Sequence, residues 1–479
     1  MAARNSISPQ IEPMKRYLIQ FAHEHLDFRV QEIRSILSLI GCQGIMKEKD
    51  LSDGSPFMEV ELSSETVAKA LMQRTVLSKR LYELWGEGTS VYDINTQIKQ
   101  LPKEILEPYT SENSSFRIVV ETFNKKLSTL EKISRIEKLT EPDSIFYGPI
   151  KLNCPDYSFH LLEFYHFDGT SQPASEPSKV YFGRWIADGQ RARIQQYHLQ
   201  KRHFIANTSM DACLSMVMAN LGQIKDSDFV FDPFVGSGSL LVACAHYGAY
   251  VAGTDIDFLL LHARAKPSRA KQKTRSRNES VRSNLQQYGF ESRYIDVLVA
   301  DASRHKMWRE GSQFDAIVTD PPYGIRESAA RIANVENAKV KSLENGAQRY
   351  PQKTQYQLGD IFRDLLNFAA QFLIKGGRLV YWLPIYKPDY QESNIPQHPC
   401  LEVESNCEQP LNSTISRRLI TMVKTGEFKG PESHGEQKAS IAVDHYQCET
   451  FRQKYFKATE MEANEKEKGG PPSSSNSYS

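Results

Sequence analysis

The amino-acid sequence predicts two folded parts: an α/β domain built on a mostly parallel sheet over residues 211–430, and a smaller α+β module over residues 15–178. The α/β prediction rests on the regular alternation of short apolar runs and amphipathic stretches from Asp211 onward, because βαβ repeats build parallel sheets with right-handed crossovers. The earlier part has strands and helices in mixed order, which is typical of a small α+β domain. A loop rich in Gly, Ser and Pro over 168–178 separates the two patterns.

The first part contains alternating runs typical of strands and wider apolar spacings typical of helices. Polar, basic and aromatic residues over 179–210 predict a linker to the second part, and residues 1–14 are expected to be disordered. The predicted elements are strands over 17–22, 57–62, 116–120, 150–152 and 159–165, and helices over 28–40, 66–77 and 125–139.

The second part continues the alternation to residue 430. A C-terminal extension follows over 431–479, and from residue 459 it is rich in Glu, Lys, Gly, Pro and Ser, so a mostly disordered tail is expected. The predicted elements are strands over 229–231, 250–253, 294–299, 316–318, 378–382 and 419–423, and helices over 211–221, 239–247, 361–373 and from Phe258 onward.

Composition and charge limit the classes of function. Of the 479 residues, 40% are hydrophobic and 24% are charged, as in soluble globular proteins. The net charge of +1 means that nucleic-acid binding would need local basic patches rather than a global field. No apolar run approaches the roughly 18 residues of a membrane helix, so the sequence predicts no membrane role.

The seven cysteines are scattered, odd in number and include no CxxC pair. This spacing argues against a disulfide framework and against a structural zinc site, so no metal is expected. Reduced thiols fit a cytosolic or nuclear compartment, and we expect a cytoplasmic protein.

Two stretches interrupt the second part. Residues 264–277 contain seven Lys or Arg and no acid, which is compatible with a solvated surface or with a phosphate-contacting patch. Residues 327–357 form a long polar insertion. The sequence leaves the role of both stretches open.

A glycine-bearing turn, Asp232-Pro233-Phe234-Val235-Gly236-Ser237-Gly238-Ser239, follows the 229–231 strand. Gly236 and Gly238 lack side chains where a backbone can approach a ligand closely. The helix that begins near Ser239 offers free N–H groups and its dipole to a carboxylate, and Asp232 is placed to pair with an ammonium group. A plain tight turn could use the same residues, and the strand ends that follow favour ligand binding.

The next two strands also end in aspartates. The second ends Gly253-Thr254-Asp255-Ile256-Asp257. There Asp255, about 20 residues after the glycine turn, is placed to accept hydrogen bonds from ribose hydroxyls, whereas Asp257 suits a helix N-cap. The third strand is followed by Asp301, which could accept a hydrogen bond from an adenine amine. Either Asp255 or Asp301 alone could be a cap, but their order predicts a site for S-adenosylmethionine.

A fourth strand end, Asp320-Pro321-Pro322-Tyr323, predicts the reaction site. The exocyclic amine of a nucleobase is a poor nucleophile, and two acceptors that hold its hydrogens would turn its lone pair toward a methyl group. The Asp320 carboxylate and the Pro321 carbonyl can do this, since consecutive prolines stiffen the backbone. Tyr323 can stack on the base. An ordinary Pro-Pro turn is the alternative. The four strand ends together predict S-adenosylmethionine-dependent methylation of a nucleobase amine.

These motifs resemble a known family. The order DPFVGSGSLL, GTDID, N-L-x-x-Y-G (from Asn284), ADA and DPPYGIRE is similar to that of THUMP-containing class I amino-methyltransferases acting on tRNA guanine N2, and within them to the eukaryotic catalytic subunits that modify guanosine 10. DPPYGIRE, from Asp320 to Glu327, is more specific than DPPY alone. The resemblance covers the chain apart from its termini.

The resemblance implies a Rossmann-like class I methyltransferase domain preceded by an α+β, ferredoxin-like plus THUMP, RNA-binding module. It also implies that Thr208, and less directly Asn207, lie across the cofactor pocket. The implied partners are tRNA, gripped at its acceptor end by the first module, and a small zinc-binding methyltransferase adaptor protein that forms a heterodimer with the catalytic domain.

Other functions remain open at this point. The enzyme could methylate guanine N2 at another tRNA or RNA position. An N6-adenine methyltransferase would use the same turn, although the compact first module favours RNA. A non-catalytic RNA-binding subunit is disfavoured because Asp232, Gly236, Gly238, Asp255 and the 320–323 turn are all present.

Overall fold

The chain divides into two compact units, Met1–Ala192 and Arg193–Ser479. The computed structural model describes residues 14–51, 54–140, 144–167, 172–269, 272–309, 311–325, 329–333, 352–429, 439–440 and 453–457. The expectations for residues 1–13 and 458–479 lie outside the described residues.

The first unit is a mixed α+β domain, as predicted. Its seven strands form one sheet in the order β2-β3-β1-β4-β7-β6-β5, in which only the β5–β6 pair is parallel. The elements are β1 (Lys15–Phe21), α1 (Arg29–Leu39), β2 (Ile45–Met46), β3 (Phe57–Leu62), α2 (Glu65–Met72), β4 (Ser78–Gly88), α3 (Val91–Lys99), α4 (Lys103–Thr110), β5 (Phe116–Phe123), α5 (Thr129–Thr140), β6 (Tyr157–Phe164) and β7 (Lys179–Asp188). The short helix α6 (Arg191–Gln196) spans the division between the two units.

The linker predicted from residue 179 is wrong at its start, because β7 lies inside this sheet between β4 and β6. Arg184 near the strand's middle is buried and paired with Glu65 at 2.6 Å and Glu83 at 2.8 Å. The positive charge of Arg184, which in the sequence is typical of an exposed linker, is therefore neutralised by two glutamates inside the fold. The division between the units falls after Ala192, inside the stretch predicted as linker.

Two other predictions in this unit need correction. The helix predicted over 66–77 ends at Met72, and the strand Ser78–Gly88 follows it. That strand is central to the sheet and is absent from the predicted elements. The strand predicted over 150–152 is reduced to a single bridge between Ile150 and Phe116.

The second unit is an α/β domain, and the prediction of a mostly parallel sheet is confirmed. Its main sheet has the order β10-β9-β8-β11-β14-β16-β15. The elements are α7 (Ala212–Leu221), β8 (Phe229–Asp232), α8 (Ser239–His246), β9 (Tyr250–Asp255), α9 (Phe258–Leu261), α10 (Val281–Gln287), β10 (Tyr294–Val299), β11 (Phe314–Thr319), β12 (Ala330–Ile332), β13 (Lys353–Gln355), α11 (Leu358–Phe372), β14 (Leu373–Tyr386), β15 (Leu401–Pro410) and β16 (Ile415–Lys424).

The strand order positions the site. Strands β10, β9, β8, β11 and β14 are parallel, so their carboxyl ends meet at one edge. The chain runs outward from β8 to β10, and β11 then pairs on the other side of β8. This reversal creates the crevice in which open α/β sheets bind ligands.

The C-terminal strands extend the sheet beyond the prediction. β14 and β16 are longer than predicted. They pair antiparallel, from Arg378 opposite Val423 to Tyr386 opposite Ile415. The unpredicted β15 forms the edge of the sheet. The insertion after β11 contains an unpredicted two-stranded ribbon, β12 with β13. None of the helices in the described ranges is long and apolar enough to cross a membrane.

Candidate functional site

Four aspartates lie at the carboxyl edge of the parallel strands. Asp232 ends β8, Asp255 ends β9 and Asp320 directly follows β11. Asp301 lies two residues after the end of β10. Because these strands are parallel neighbours, the fold places all four predicted acidic residues along one edge of the sheet.

The glycine turn is held against the neighbouring strand. Gly236 and Gly238 have φ of 50° and 78°, a left-handed conformation that favours glycine. The Gly236 N–H donates to Asp255 Oδ2 at 2.9 Å, and the Val235 N–H donates to the Thr254 carbonyl at 2.8 Å. A Cβ on Gly238 would lie 2.5 Å from a methyl carbon of Val281. The backbone of the turn therefore carries no side chain at Gly236 and Gly238, directly before α8 begins.

Asp232 is a buried acid with an altered pKa. Its side chain is 1% exposed, and Oδ1 accepts hydrogen bonds from the Thr319 hydroxyl at 2.6 Å and the Phe234 N–H at 3.0 Å. Burial raises the pKa of Asp232 to about 7, against these hydrogen bonds and with the help of the negative charges of Asp255 and Asp320. A nearby cation would relieve this destabilised carboxylate.

We expect Asp232→Asn to stabilise the free protein more at pH 8 than at pH 5. The unfolded carboxyl loses its proton near its ordinary pKa of 3.8, whereas the folded one keeps it up to about pH 7. Asp232 thus lowers the free energy of unfolding progressively as pH rises between these values, and the cost is complete above pH 7. Thermal unfolding should show a Tm gain at pH 8 of at least about 2–4 °C, the shift that 1 kcal/mol produces in a domain of this size.

The control is Asp226→Asn, at a side chain that is 71% exposed. Its Tm should change little at either pH. Equal Tm gains for Asp232→Asn at pH 5 and pH 8 would contradict the assignment of a raised pKa to Asp232.

Asp255 and Asp301 both hold backbone in place. Besides Gly236, Asp255 accepts from the Asp257 N–H at 2.8 Å, and Asp257 caps α9 as predicted through the Leu260 N–H at 3.1 Å. Asp301 Oδ1 accepts from the N–H and hydroxyl of Ser303 at 2.9 and 2.7 Å. Both carboxylates therefore support the loops that follow β9 and β10.

The β12–β13 ribbon crosses the ends of β9 and β10. The Ile332 N–H donates to Asp301 Oδ2 at 2.7 Å, and Lys353 Nζ donates to the Ile256 carbonyl at 3.3 Å. Part of the insertion that had no predicted role therefore lies directly over this side of the edge.

The 320–323 turn has a partly buried polar centre. The Tyr323 hydroxyl donates to Asp320 Oδ1, and Arg417 Nη1 lies 3.4 Å from Asp320 Oδ2. Burial raises the pKa of Asp320, while the charge of Arg417 and the Tyr323 hydrogen bond lower it. Pro321 is buried and Pro322 is half-buried. With 23% of its side chain exposed, Asp320 remains accessible to a substrate.

Arg417 is a site residue that the sequence analysis missed. Its Nε donates to Gln409 Oε1 at 2.7 Å, and its Cζ lies 4.0 Å from the ring centroid of Trp382. Trp382 is fully buried and lies on β14. The available signal was the pair Arg417-Arg418 directly before the apolar residues Leu419 and Ile420, but the predicted strand begins at 419.

The segment before α7 lies on the glycine turn. Ser209 Oγ and Ser237 Oγ are 2.5 Å apart, and the Ala206 N–H donates to Ser209 Oγ at 2.7 Å. Asn207 and Thr208, which lie between Ala206 and Ser209 in the chain, are exposed. Asn284 links this segment to the glycine turn, because its Nδ2 donates to the carbonyls of Phe204 and Ser237 at 2.8 and 3.0 Å.

Two arginines of the basic run have structural contacts. Arg275 is paired with Glu279 at 2.9 Å and donates to the Ile205 carbonyl at 3.1 Å. Arg269 donates to the His203 carbonyl at 3.1 Å. At these two positions the run fastens a loop to residues 203–205.

Comparisons with known proteins cover both units. The model of the Tmrp11 THUMP N-terminal domain matches residues 15–191, and that of the RMKL-like methyltransferase domain matches residues 200–344. The chain is 48% identical over 444 residues to tRNA (guanine(10)-N(2))-methyltransferase TRMT11 of Gallus gallus, covering 92% of this chain and 95% of that protein. It is 47% identical over 451 residues to the Homo sapiens protein of the same name, with the same coverage. It is 35% identical over 436 residues to that of Dictyostelium discoideum, covering 87% of this chain and 83% of that protein.

Proposed function

The chain belongs to the tRNA (guanine(10)-N(2))-methyltransferase family, and we propose that it transfers a methyl group from S-adenosylmethionine to the exocyclic N2 amine of guanosine 10 in tRNA. The observation that carries this function is the Asp320-Pro321-Pro322-Tyr323 turn at the end of β11, beside the glycine turn at the end of β8. The 320–323 turn is suited to binding an amine on a flat base, and the glycine turn is suited to binding a cofactor.

In this proposal the cofactor would be held by residues along the edge from β8 to β10. Asp232 pairs with its amino-acid ammonium group, and this proposal is supported by a buried carboxylate whose raised pKa a cation would lower. The turn at Gly236 and Gly238 and the start of α8 would hold its carboxylate. Asp255 would accept hydrogen bonds from the ribose hydroxyls and Asp301 from the adenine amine, while Thr208 would lie over the bound cofactor.

S-adenosylmethionine supplies an electrophilic methyl group when bound. The task of the protein is to place the guanine amine, whose lone pair is delocalised into the ring. Asp320 and the Pro321 carbonyl accept the two amine hydrogens and direct the lone pair out of the ring plane, and Tyr323 stacks on the base. The amine becomes acidic only as the methyl group arrives, so orientation contributes more than a strong base.

Mass spectrometry of nucleosides from tRNA incubated with the protein and S-adenosylmethionine tests this function. N2-methylguanosine is the expected product. N6-methyladenosine would instead support the adenine methyltransferase alternative. No methylated product with or without an adaptor protein would support a non-catalytic RNA-binding subunit.

The substrate requires an RNA grip, which we assign to the first unit. This unit matches a THUMP domain model, and the catalytic turns lie outside it. The net charge of +1 provides little general attraction to RNA, so local contacts or a partner must supply affinity. The six cysteines in the described ranges form no disulfide bonds with one another, which is compatible with our proposal of a cytoplasmic location.

A small zinc-binding adaptor protein is the partner we propose, and β10 is its docking strand. β10 is an edge of the main sheet, and it exposes Ile295, Leu298 and Val299 at 51%, 44% and 44%. An exposed apolar edge strand favours pairing with another chain. Such a partner would cover apolar surface and contribute charge for RNA binding.

We expect Leu298→Lys to weaken adaptor binding by about ten-fold or more, because a charge replaces an apolar contact at the edge. Isothermal titration calorimetry with the purified adaptor measures the affinity. Ile150→Lys, at an exposed apolar residue of the first unit (72%), is the matched control. Equal affinities for the Leu298 variant and the native chain would place the adaptor elsewhere.

A further inference from the structure

Arg417 presents a guanidinium whose orientation is fixed by neighbours other than the substrate. Gln409 receives its Nε–H at 2.7 Å, and the buried Trp382 ring lies 4.0 Å from its Cζ. These contacts define the plane of the group, since a guanidinium is rigid and stacks on aromatic faces. Its side chain is 14% exposed, so its position is set by the fold.

The guanidinium lies beside the Tyr323 hydroxyl, and the contacts of its terminal nitrogens with Asp320 and Met210 are long. Nη1 lies 3.4 Å from Asp320 Oδ2, at the long end of hydrogen-bond distances. Nη2 lies 3.6 Å from Met210 Sδ, and a thioether is a weak acceptor. A partly buried guanidinium with such contacts retains donor capacity beside the catalytic carboxylate, and a substrate acceptor could use it.

The polar atoms are arranged in a defined order. Asp320 Oδ1 faces the Tyr323 hydroxyl and Oδ2 faces Arg417 Nη1. Asp320 and Arg417 together thus present two acceptors, Oδ1 and Oδ2, followed by one donor, Nη1. The pairing edge of guanine presents the complement, namely the N2 and N1 donors followed by the O6 acceptor. Adenine would place its N1 lone pair against a carboxylate oxygen.

We propose that Arg417 is a specificity residue that donates to O6 of the target guanine while Asp320 accepts from its N2 and N1 hydrogens. This inference rests on the proposed function and adds the group that selects guanine over adenine. Arginine matches guanine O6 well in protein–nucleic acid contacts. A site built to donate to a substrate acceptor rejects an analogue that lacks it, because a buried polar group is then left unpaired.

Single-turnover methylation of two tRNAs tests this inference. One carries guanosine at position 10 and the other carries 2-aminopurine riboside, which keeps the N2 amine but lacks O6 and the N1 hydrogen. The native enzyme should methylate guanosine at least about ten-fold faster. Arg417→Met should slow the guanosine reaction about ten- to a hundred-fold and change the 2-aminopurine reaction little, so the rate ratio should fall by about ten-fold or more.

Arg418→Met is the matched control. Arg418 is the next residue on β16, and its guanidinium stacks on Tyr390 at 4.6 Å and donates to Glu408 at 3.2 Å. Neighbouring strand residues face opposite sides, so this variant should keep the native rate ratio. Arg417→Lys keeps the positive charge but lacks the planar guanidinium, so its ratio of guanosine to 2-aminopurine rates should lie between those of the native enzyme and Arg417→Met.

Two outcomes would overturn the inference. Equal slowing of both substrates in Arg417→Met would show that Arg417 acts only through Asp320. Equal native rates on the two tRNAs would exclude O6 recognition even if no Arg417 variant folds. If the native enzyme, with its adaptor, leaves guanosine unmethylated while binding S-adenosylmethionine, the proposed function fails instead, and the inference falls with it.

Discussion

Asp320→Ala is expected to reduce methyl transfer about a hundred-fold or more while leaving the affinities for S-adenosylmethionine and tRNA within a few-fold of native. The carboxylate orients the amine mainly in the transition state, and the loss of one preorganised polar partner has this magnitude. The variant also leaves Arg417 without its partner at 3.4 Å, which should disturb base placement further. Single-turnover kinetics with saturating tRNA and cofactor measure the effect.

Three related variants separate the contributions within the turn. Asp320→Asn keeps an acceptor oxygen without the charge and should have an intermediate rate. Tyr323→Phe loses the hydroxyl that donates to Asp320 but keeps the stacking face, so its effect should be mild, whereas Tyr323→Ala should be severe. A native rate for Asp320→Ala would show that this turn is not the catalytic site.

Asp255→Ala is expected to weaken S-adenosylmethionine binding by roughly 1.5–3 kcal/mol, about ten- to a hundred-fold. The substitution removes the proposed acceptor of the ribose hydroxyls. It also removes the acceptor of the Gly236 N–H at 2.9 Å, so the glycine turn loses a support. Calorimetry on the purified protein measures the affinity, and the Tm reports whether the variant is folded.

Asp257→Ala is the matched control for this prediction. Asp257 lies two residues away and caps α9 through the Leu260 N–H at 3.1 Å, so its loss should affect local stability more than affinity. If folded Asp255→Ala binds the cofactor as tightly as the native chain, Asp255 does not belong to the site.

The parts of the site that a sequence can predict are those encoded within one turn. The glycine turn and the 320–323 turn each follow a short apolar strand, and parallel pairing then brings the strand ends together. The predicted parallel sheet was sufficient to place Asp232, Asp255, Asp301 and Asp320 on one edge. Their assignment to particular cofactor groups stays a prediction.

Contacts between distant segments could not be predicted in this way. Arg417 lies 97 residues after Asp320, and only the pairing of β14 with β16 brings it to the turn. Local patterns carry no information on that register. The same holds for β7, whose Arg184 is buried because Glu65 and Glu83 on other elements neutralise it.

The basic run shows a related difficulty. Seven cations without an acid are compatible with RNA phosphates, but the sequence could not indicate that Arg275 pairs with Glu279 at 2.9 Å and binds the Ile205 carbonyl. Charge in a sequence does not reveal which cations are already used by the fold.

The measurement that tests the central claim most directly compares two tRNAs that differ by a single amine. One carries guanosine at position 10 and the other carries inosine, which lacks only the exocyclic N2 amine. Each is incubated with the protein, its adaptor and S-adenosylmethionine carrying a deuterated methyl group, and the fragment containing position 10 is analysed by mass spectrometry. We predict one labelled methyl group, as N2-methylguanosine, on the guanosine tRNA and none at this position on the inosine tRNA. Equal labelling of the two tRNAs, or labelling only on adenine, would contradict the proposed methylation of guanine N2.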